Sequence, residues 1–337
     1  MAETFRLPGF VNAHSHAFQR ALRGRTEGGD FWEWRSSMLA LAEGQSPDLV
    51  RSGYVQVYSE MLAAGYTVVG EFHYLGLPEA QAAVEAAAEA GIELVLLLAA
   101  YGRGGPERFR QASVADYLAE LESVRETGAR VGLAPHSVRA CPRDWLEELG
   151  RYAAAESLPL HVHADEQPRE IEECLAEHGL RPLELLAETG CLGPHTTVVH
   201  ATHADAHELD LMAESGTRVC LSLTTEANLG DGFAPVLELI RRGIGVCIGS
   251  DSNVRIDPLE ELRELEGIAR RATLRRGAIG LTTLLSIGSD EGASALGVER
   301  WPEAEVDLGH RSLAGVEKED VPAALVFGCA ADVFVGQ

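Results

Sequence analysis

The chain has 337 residues, 46% hydrophobic and 24% charged, enough for one large barrel or two modest domains with a sizeable buried core. Its formal net charge of −24, from 52 acidic and 28 basic residues, excludes non-specific binding to nucleic acid or to an anionic membrane and points to a small-molecule partner. An anionic ligand would need arginines gathered inside its site to outweigh that acidic exterior.

Short apolar runs recur along the chain at residues 10–12, 66–72, 92–99, 130–135, 159–162, 196–199, 218–223 and 244–248. Between most of them lie stretches rich in Ala, Leu and Glu with helical spacing, at 78–90, 114–126, 142–155 and 205–214. Such alternation predicts an α/β fold with a parallel sheet. Eight repeats over roughly 250 residues fit a closed (β/α)8 TIM-like barrel better than an open doubly wound sheet. After Asp251, further helices are expected at 258–276 and 290–296. The tail from Trp301 carries two apolar runs, 323–327 and 332–335, expected to be strands of a small appended sheet. The expected organisation is a barrel over residues 8–300 with an accessory β segment from 1–7 and 301–337. The six cysteines include no Cys-x-x-Cys pair and read as buried thiols in a reducing compartment. With no basic-then-apolar leader at the N-terminus and no run of about 18 apolar residues, a cytoplasmic protein without membrane contact is expected.

In a barrel the functional residues close the strands at their C-terminal ends. Here those ends read His14-Ser15-His16, Glu71-Phe72-His73-Tyr74, His136, His161-Val162-His163, His200 and Asp251. Residues i and i+2 on a strand share a face, so His14 and His16 can grip one ion from one strand end. A catalytic zinc-type site takes three or four N/O ligands and keeps a position for water. His14, His16, His163 and Asp251 suffice, with His163 preferred over His161 because it lies nearer the strand end. Glu166, three residues beyond His163, is placed to carry protons as general acid and base, and His200 to act on the water from the opposite side. His203 and His207 are expected to be solvated. Asp231, flanked by Gly230 and Gly232, reads as part of a tight turn. Two-metal barrels of this kind commonly bridge their ions with a strand lysine, but the chain has a single lysine, Lys318, in the tail. One divalent metal is therefore expected, zinc before iron or manganese.

The pattern His14-x-His16, His163 with Glu166, His200 and Gly249-Ser250-Asp251 resembles the mononuclear deaminase branch of the amidohydrolase superfamily over about 290 residues. Within that branch, five strings resemble the formimidoylglutamate deiminases. They are His14-Ser15-His16-Ala17-Phe18-Gln19-Arg20-Ala21, Phe31-Trp32-Glu33-Trp34-Arg35, Glu71-Phe72-His73-Tyr74, His136-Ser137-Val138-Arg139-Ala140 and Thr225-Glu226-Ala227-Asn228-Leu229-Gly230-Asp231-Gly232. The resemblance implies hydrolysis of a small anionic, glutamate-derived formimidoyl compound with release of ammonia, a step of histidine degradation. It also implies that Gln19, Arg35, Tyr74, His136 and Arg139 hold the substrate, the two arginines through forked bonds to its carboxylates. A homodimer is compatible with it. The family's β-sandwich draws on both sides of the barrel, whereas nine residues precede Phe10 here, so a reduced appended sheet is expected. The rival readings are a deaminase of a guanine- or cytosine-like ring, which would share the metal ligands but need no second guanidinium, and a barrel scaffold without catalysis.

Overall fold

The apolar runs become eight parallel strands of one sheet, consistent with their near-continuous burial on both faces. In the computed structural model, which describes residues 3–335, the chain opens with β1 (Thr4–Pro8) and then enters that sheet. Its strands are β2 (Phe10–Ser15), β3 (Tyr66–His73), β4 (Glu93–Ala100), β5 (Arg130–Pro135), β6 (Leu160–Ala164), β7 (Thr196–His200), β8 (Arg218–Leu221) and β9 (Val246–Ile248), each paired with the next. β10 (Glu303–Asp307) returns to pair antiparallel with β1.

The barrel closes between β9 and β2. Ser15 bridges Asp251, the His16 amide donates to the Asp251 carbonyl at 2.8 Å, and the amides of Ser250 and Asp251 donate to the His14 carbonyl at 3.1 and 3.0 Å. Buried polar side chains stitch this seam. Asn12 donates to Ser250 Oγ at 2.6 Å and accepts from the Ser250 amide at 3.0 Å, while Asn253 donates to Ser15 Oγ at 3.1 Å. Every member finds partners, as a low-dielectric interior requires. Gly249 is needed at the closest approach, since a Cβ there would lie 2.7 Å from the His14 carbonyl oxygen.

The helices expected at 78–90, 114–126, 142–155 and 205–214 form with ends shifted by a residue or two. The first connection holds two helices that the apolar spacing did not reveal, Phe31–Glu43 and Pro47–Ala63. Asp30 starts the former by accepting from the amides of Trp32 and Glu33 at 2.9 Å each.

Three expectations need correction. Residues 323–327 lie inside the helix Val321–Gly328, which opens with a proline in its first turn and buries Val321, Leu325 and Val326. The 332–335 run is mostly a 3-10 turn, Ala331–Val333, with Phe334 alone bridging Val306, so β1 supplies the sheet's second strand. The helix from Pro258 ends at Thr273 rather than Arg276, with Leu274 in the left-handed conformation. Of the accessory segment, residues 1–2 and 336–337 lie outside the described residues. All six cysteines are free and buried, and no helix among the described residues is long and apolar enough to cross a membrane.

Candidate active site

Barrel closure brings His14 on β2 and His16 just past its end against Asp251, which follows β9, and the end of β6 adds His163. One donor atom from each of these four buried residues lies within 4.8 Å of all the others. The rings are aimed. His16 Nδ1 donates to the Phe72 carbonyl at 2.9 Å and His163 Nδ1 to the His136 carbonyl at 3.1 Å, so in both the Nε2 lone pair turns to the centre. Burial lowers the pKa values of all three imidazoles, that of His14 to about 3, keeping them neutral as ligands must be. Burial alone would raise the Asp251 carboxyl, yet His14, His16 and His200 hold it well below the usual carboxylate range. Three neutral imidazoles and one anion, with their back nitrogens largely tied to carbonyls, fit a single divalent ion of zinc type.

Beside this quartet lie the groups expected to carry protons. His200 Nε2 is 3.6 Å from Glu166 and 3.9 Å from Asp251, and its Nδ1 is 3.3 Å from Glu226. Burial pulls the His200 imidazole down, but the carboxylates of Glu166, Glu226 and Asp251 outweigh it and push it up to about 10. Burial raises Glu166, opposed by His200 and Arg139, so the cluster can hold a proton and pass it on. His200, Asp165 and Asp251 all have positive φ, at 75°, 54° and 43°. Three non-glycine residues in the left-handed region at one site are backbone strain concentrated where side chains must be aimed.

Above the quartet is a narrow cleft whose wall includes Gln19, Arg35, Tyr74, His136 and Arg139. All five residues expected around the substrate therefore share one space with His16, His163, Glu166, His200 and Asp251. Gln19 donates to the Tyr74 hydroxyl at 2.8 Å and leaves its Oε1 buried without a partner. His136 stacks on His163 with ring centroids 4.7 Å apart. Arg35 makes no ion pair with any described residue, whereas Arg139 is flanked by Glu166 at 3.7 Å and Glu170 at 3.5 Å.

Several neighbours fall differently from the sequence reading. His203 is half-buried, with Nε2 enclosed and unpartnered, its amide donating to the Asp165 carbonyl at 3.0 Å and its carbonyl accepting from Arg181 at 2.7 Å; His207 is exposed. His161, two residues earlier on β6 than His163, bonds the Ala295 carbonyl at 3.0 Å and stays out of the quartet. Gly230 and Gly232 take positive φ as a tight turn requires, and Asp231 between them is buried, bonded to Gln167 and influenced by Glu166 and His200, so the turn also borders the site. Sequence reasoning missed Glu226, Glu170 and Tyr101. The first two sit in short helices where a glutamate reads as a solvated face, and the one available signal was the Thr225-Glu226-Ala227-Asn228 string itself.

A model of the amidohydrolase family matches residues 5–300. The formimidoylglutamate deiminase of Pseudomonas aeruginosa is 40% identical over 290 residues, covering 77% of this chain and 63% of that protein, so the match spans less than two thirds of the relative's length. The 5-methylthioadenosine/S-adenosylhomocysteine deaminase of Natronomonas pharaonis is 31% identical over 300 residues, 87% of this chain and 69% of that protein. Among solved structures, an amidohydrolase from Brucella melitensis superposes with a TM-score of 0.87 at 30% identity, covering 98% of this chain and 84% of that one. Atrazine chlorohydrolase from Arthrobacter aurescens, complexed with zinc, gives a TM-score of 0.89 at 21% identity over 99% of this chain and 84% of its own, a likeness of fold.

Proposed function

The chain belongs to the amidohydrolase family, and from that premise we propose that it hydrolyses N-formimidoyl-L-glutamate to N-formyl-L-glutamate and ammonia, as in histidine degradation. The observation that carries this assignment is the unpaired, half-buried guanidinium of Arg35 in the same cleft as the metal-type quartet, with Arg139 beside it. In a chain of net charge −24, a free cation inside the cleft is what a substrate carrying two carboxylates requires. The 40% identity to a formimidoylglutamate deiminase supports the same substrate.

One zinc ion held by His14, His16, His163 and Asp251 would supply Lewis acidity and an acidified water. The chain's own residues do the rest. Arg35 and Arg139 grip the two carboxylates, and Gln19, Tyr74 and His136 fix the formimidoyl end. With a cation bound at Asp251, the carboxylate field that holds His200 protonated would be weaker. That leaves Nε2 to take one proton of the water as the oxygen adds to the carbon of the formimidoyl group, bound as its amidinium; the resulting imidazolium steadies the charge that develops on the oxygen. Glu166 takes the remaining hydroxyl proton of the adduct and delivers it to the terminal nitrogen, whose bond to that carbon breaks as the carbonyl forms, releasing ammonia. The glutamate nitrogen stays attached because its carboxylates remain clamped, so positioning selects the leaving group.

Replacing Arg35 by Met tests the clamp. Each charge-assisted contact of this kind contributes about 1.5 to 3 kcal/mol, so KM should rise roughly 10- to 100-fold with a smaller change in kcat. An unchanged KM would remove Arg35 from the substrate.

A further inference from the structure

We propose that Glu226 is a positioning residue that keeps a proton on His200 Nδ1, so that all proton transfer by His200 runs through Nε2. The role rests on the deiminase reading above for its chemistry but on geometry for its existence.

His200 is buried on all sides, and its ring nitrogens face different company. Nε2 looks into the cleft, 3.6 Å from Glu166 and 3.9 Å from Asp251, while Nδ1 looks out of it, 3.3 Å from Glu226 Oε1. A carboxylate only accepts, so a hydrogen bond there requires the proton to sit on Nδ1. Glu226 is itself held. Its Oε1 accepts from the Ser222 amide at 3.0 Å at the start of the helix Leu223–Leu229, and the Asp231 amide donates to its carbonyl at 3.0 Å beyond the helix end. The short helix thus anchors the carboxylate at a fixed point behind the imidazole. At a strained backbone, where His200 has φ 75°, side-chain direction is not set by the strand alone, and a fixed acceptor supplies it. The arrangement is that of a carboxylate behind a proton-carrying histidine, where the acid orients the ring and selects the nitrogen that works. Glu226 is neither a member of the metal-type quartet nor a lining residue of the cleft, and among the residues that line it Glu226 bonds His200, so its effect passes through that ring.

Two variants of the metal-loaded protein test this, Glu226→Ala and Glu226→Gln, the second retaining an oxygen for both the Ser222 amide and Nδ1. Proton NMR of the wild type should show a downfield, slowly exchanging His200 Nδ1–H resonance, assigned by its absence in His200→Asn. In Glu226→Ala that resonance should vanish while metal content stays at the wild-type level. With formimidoylglutamate, kcat should fall roughly 10²-fold with KM little changed. Glu226→Gln should restore part of both signals. A resonance that persists in Glu226→Ala, or a loss of metal and a raised KM with the resonance unmoved, overturns the proposal. The NMR arm needs no substrate. A wild type inert towards formimidoylglutamate whose Nδ1–H still depends on Glu226 would therefore overturn the functional reading alone.

Discussion

At the scale of single residues, the division of labour is sharpest between Glu166 and the quartet. Glu166 contributes no donor atom to the group formed by His14, His16, His163 and Asp251, yet its carboxylate lies 3.6 Å from His200. Glu166→Gln should therefore retain its metal by elemental analysis while ammonia release slows by roughly 10²- to 10⁴-fold; normal turnover would remove Glu166 from proton transfer. The quartet was legible in the sequence because two histidines with a period of two at one strand end, together with a histidine and an aspartate at others, match what one ion needs. Glu226 and Glu170 were not, because a helix glutamate carries no sign of what its carboxylate meets after folding. The seam residues Asn12 and Asn253 were hidden for the same reason, since their partners stand more than 200 positions away in the chain.

At the scale of elements, the strands were legible and the helices unevenly so. A strand buried on both faces is apolar throughout and announces itself, whereas the helix Phe31–Glu43 buries only Phe31, Met38 and Ala42 and shows little periodicity. The 323–327 run fits strand and helix alike by its apolar content, and the proline at the start of Val321–Gly328 was the discriminating feature. One contact between elements carries a pH-dependent stability. Glu261, on the helix Pro258–Thr273, accepts from the Thr224 amide at 3.2 Å and from its hydroxyl, fastening the helix that bears Glu226. Burial, only partly offset by those bonds, raises the Glu261 carboxyl from 4.5 to about 8. Between those values the folded chain holds a proton that the unfolded chain releases. The contribution of this group therefore falls as pH rises from the unfolded value through the folded one, by up to about 1.4 kcal/mol per pH unit. Glu261→Gln should flatten the decline in urea midpoint between roughly pH 5 and pH 8; an unchanged slope would show that Glu261 ionises normally in the folded chain.

For the whole molecule, the barrel expected from alternating apolar runs and helical spacing is the one observed, and the site stands at the strand ends where such a fold places it. Less legible was how its first and last strands meet, because closure depends on a glycine and a polar network rather than on apolar pattern. The metal-type donors straddle that closure, His14 on β2, His16 just past its end and Asp251 just beyond β9, so a bound ion would cross-link the barrel where it is least continuous. Stripping the metal with a chelator should lower Tm by several degrees, and zinc should restore it, as expected for a ligand that binds the folded chain alone; an unchanged Tm would argue that no ion is held there. Central to this account is the substrate, and the decisive measurement is ammonia release by the zinc-loaded protein from formimidoylglutamate, guanine, cytosine and 5-methylthioadenosine, with the products identified. Formimidoylglutamate should be preferred by at least about 10³-fold in kcat/KM and yield formylglutamate. Preference for any of the ring compounds, or cleavage to free glutamate, would contradict it.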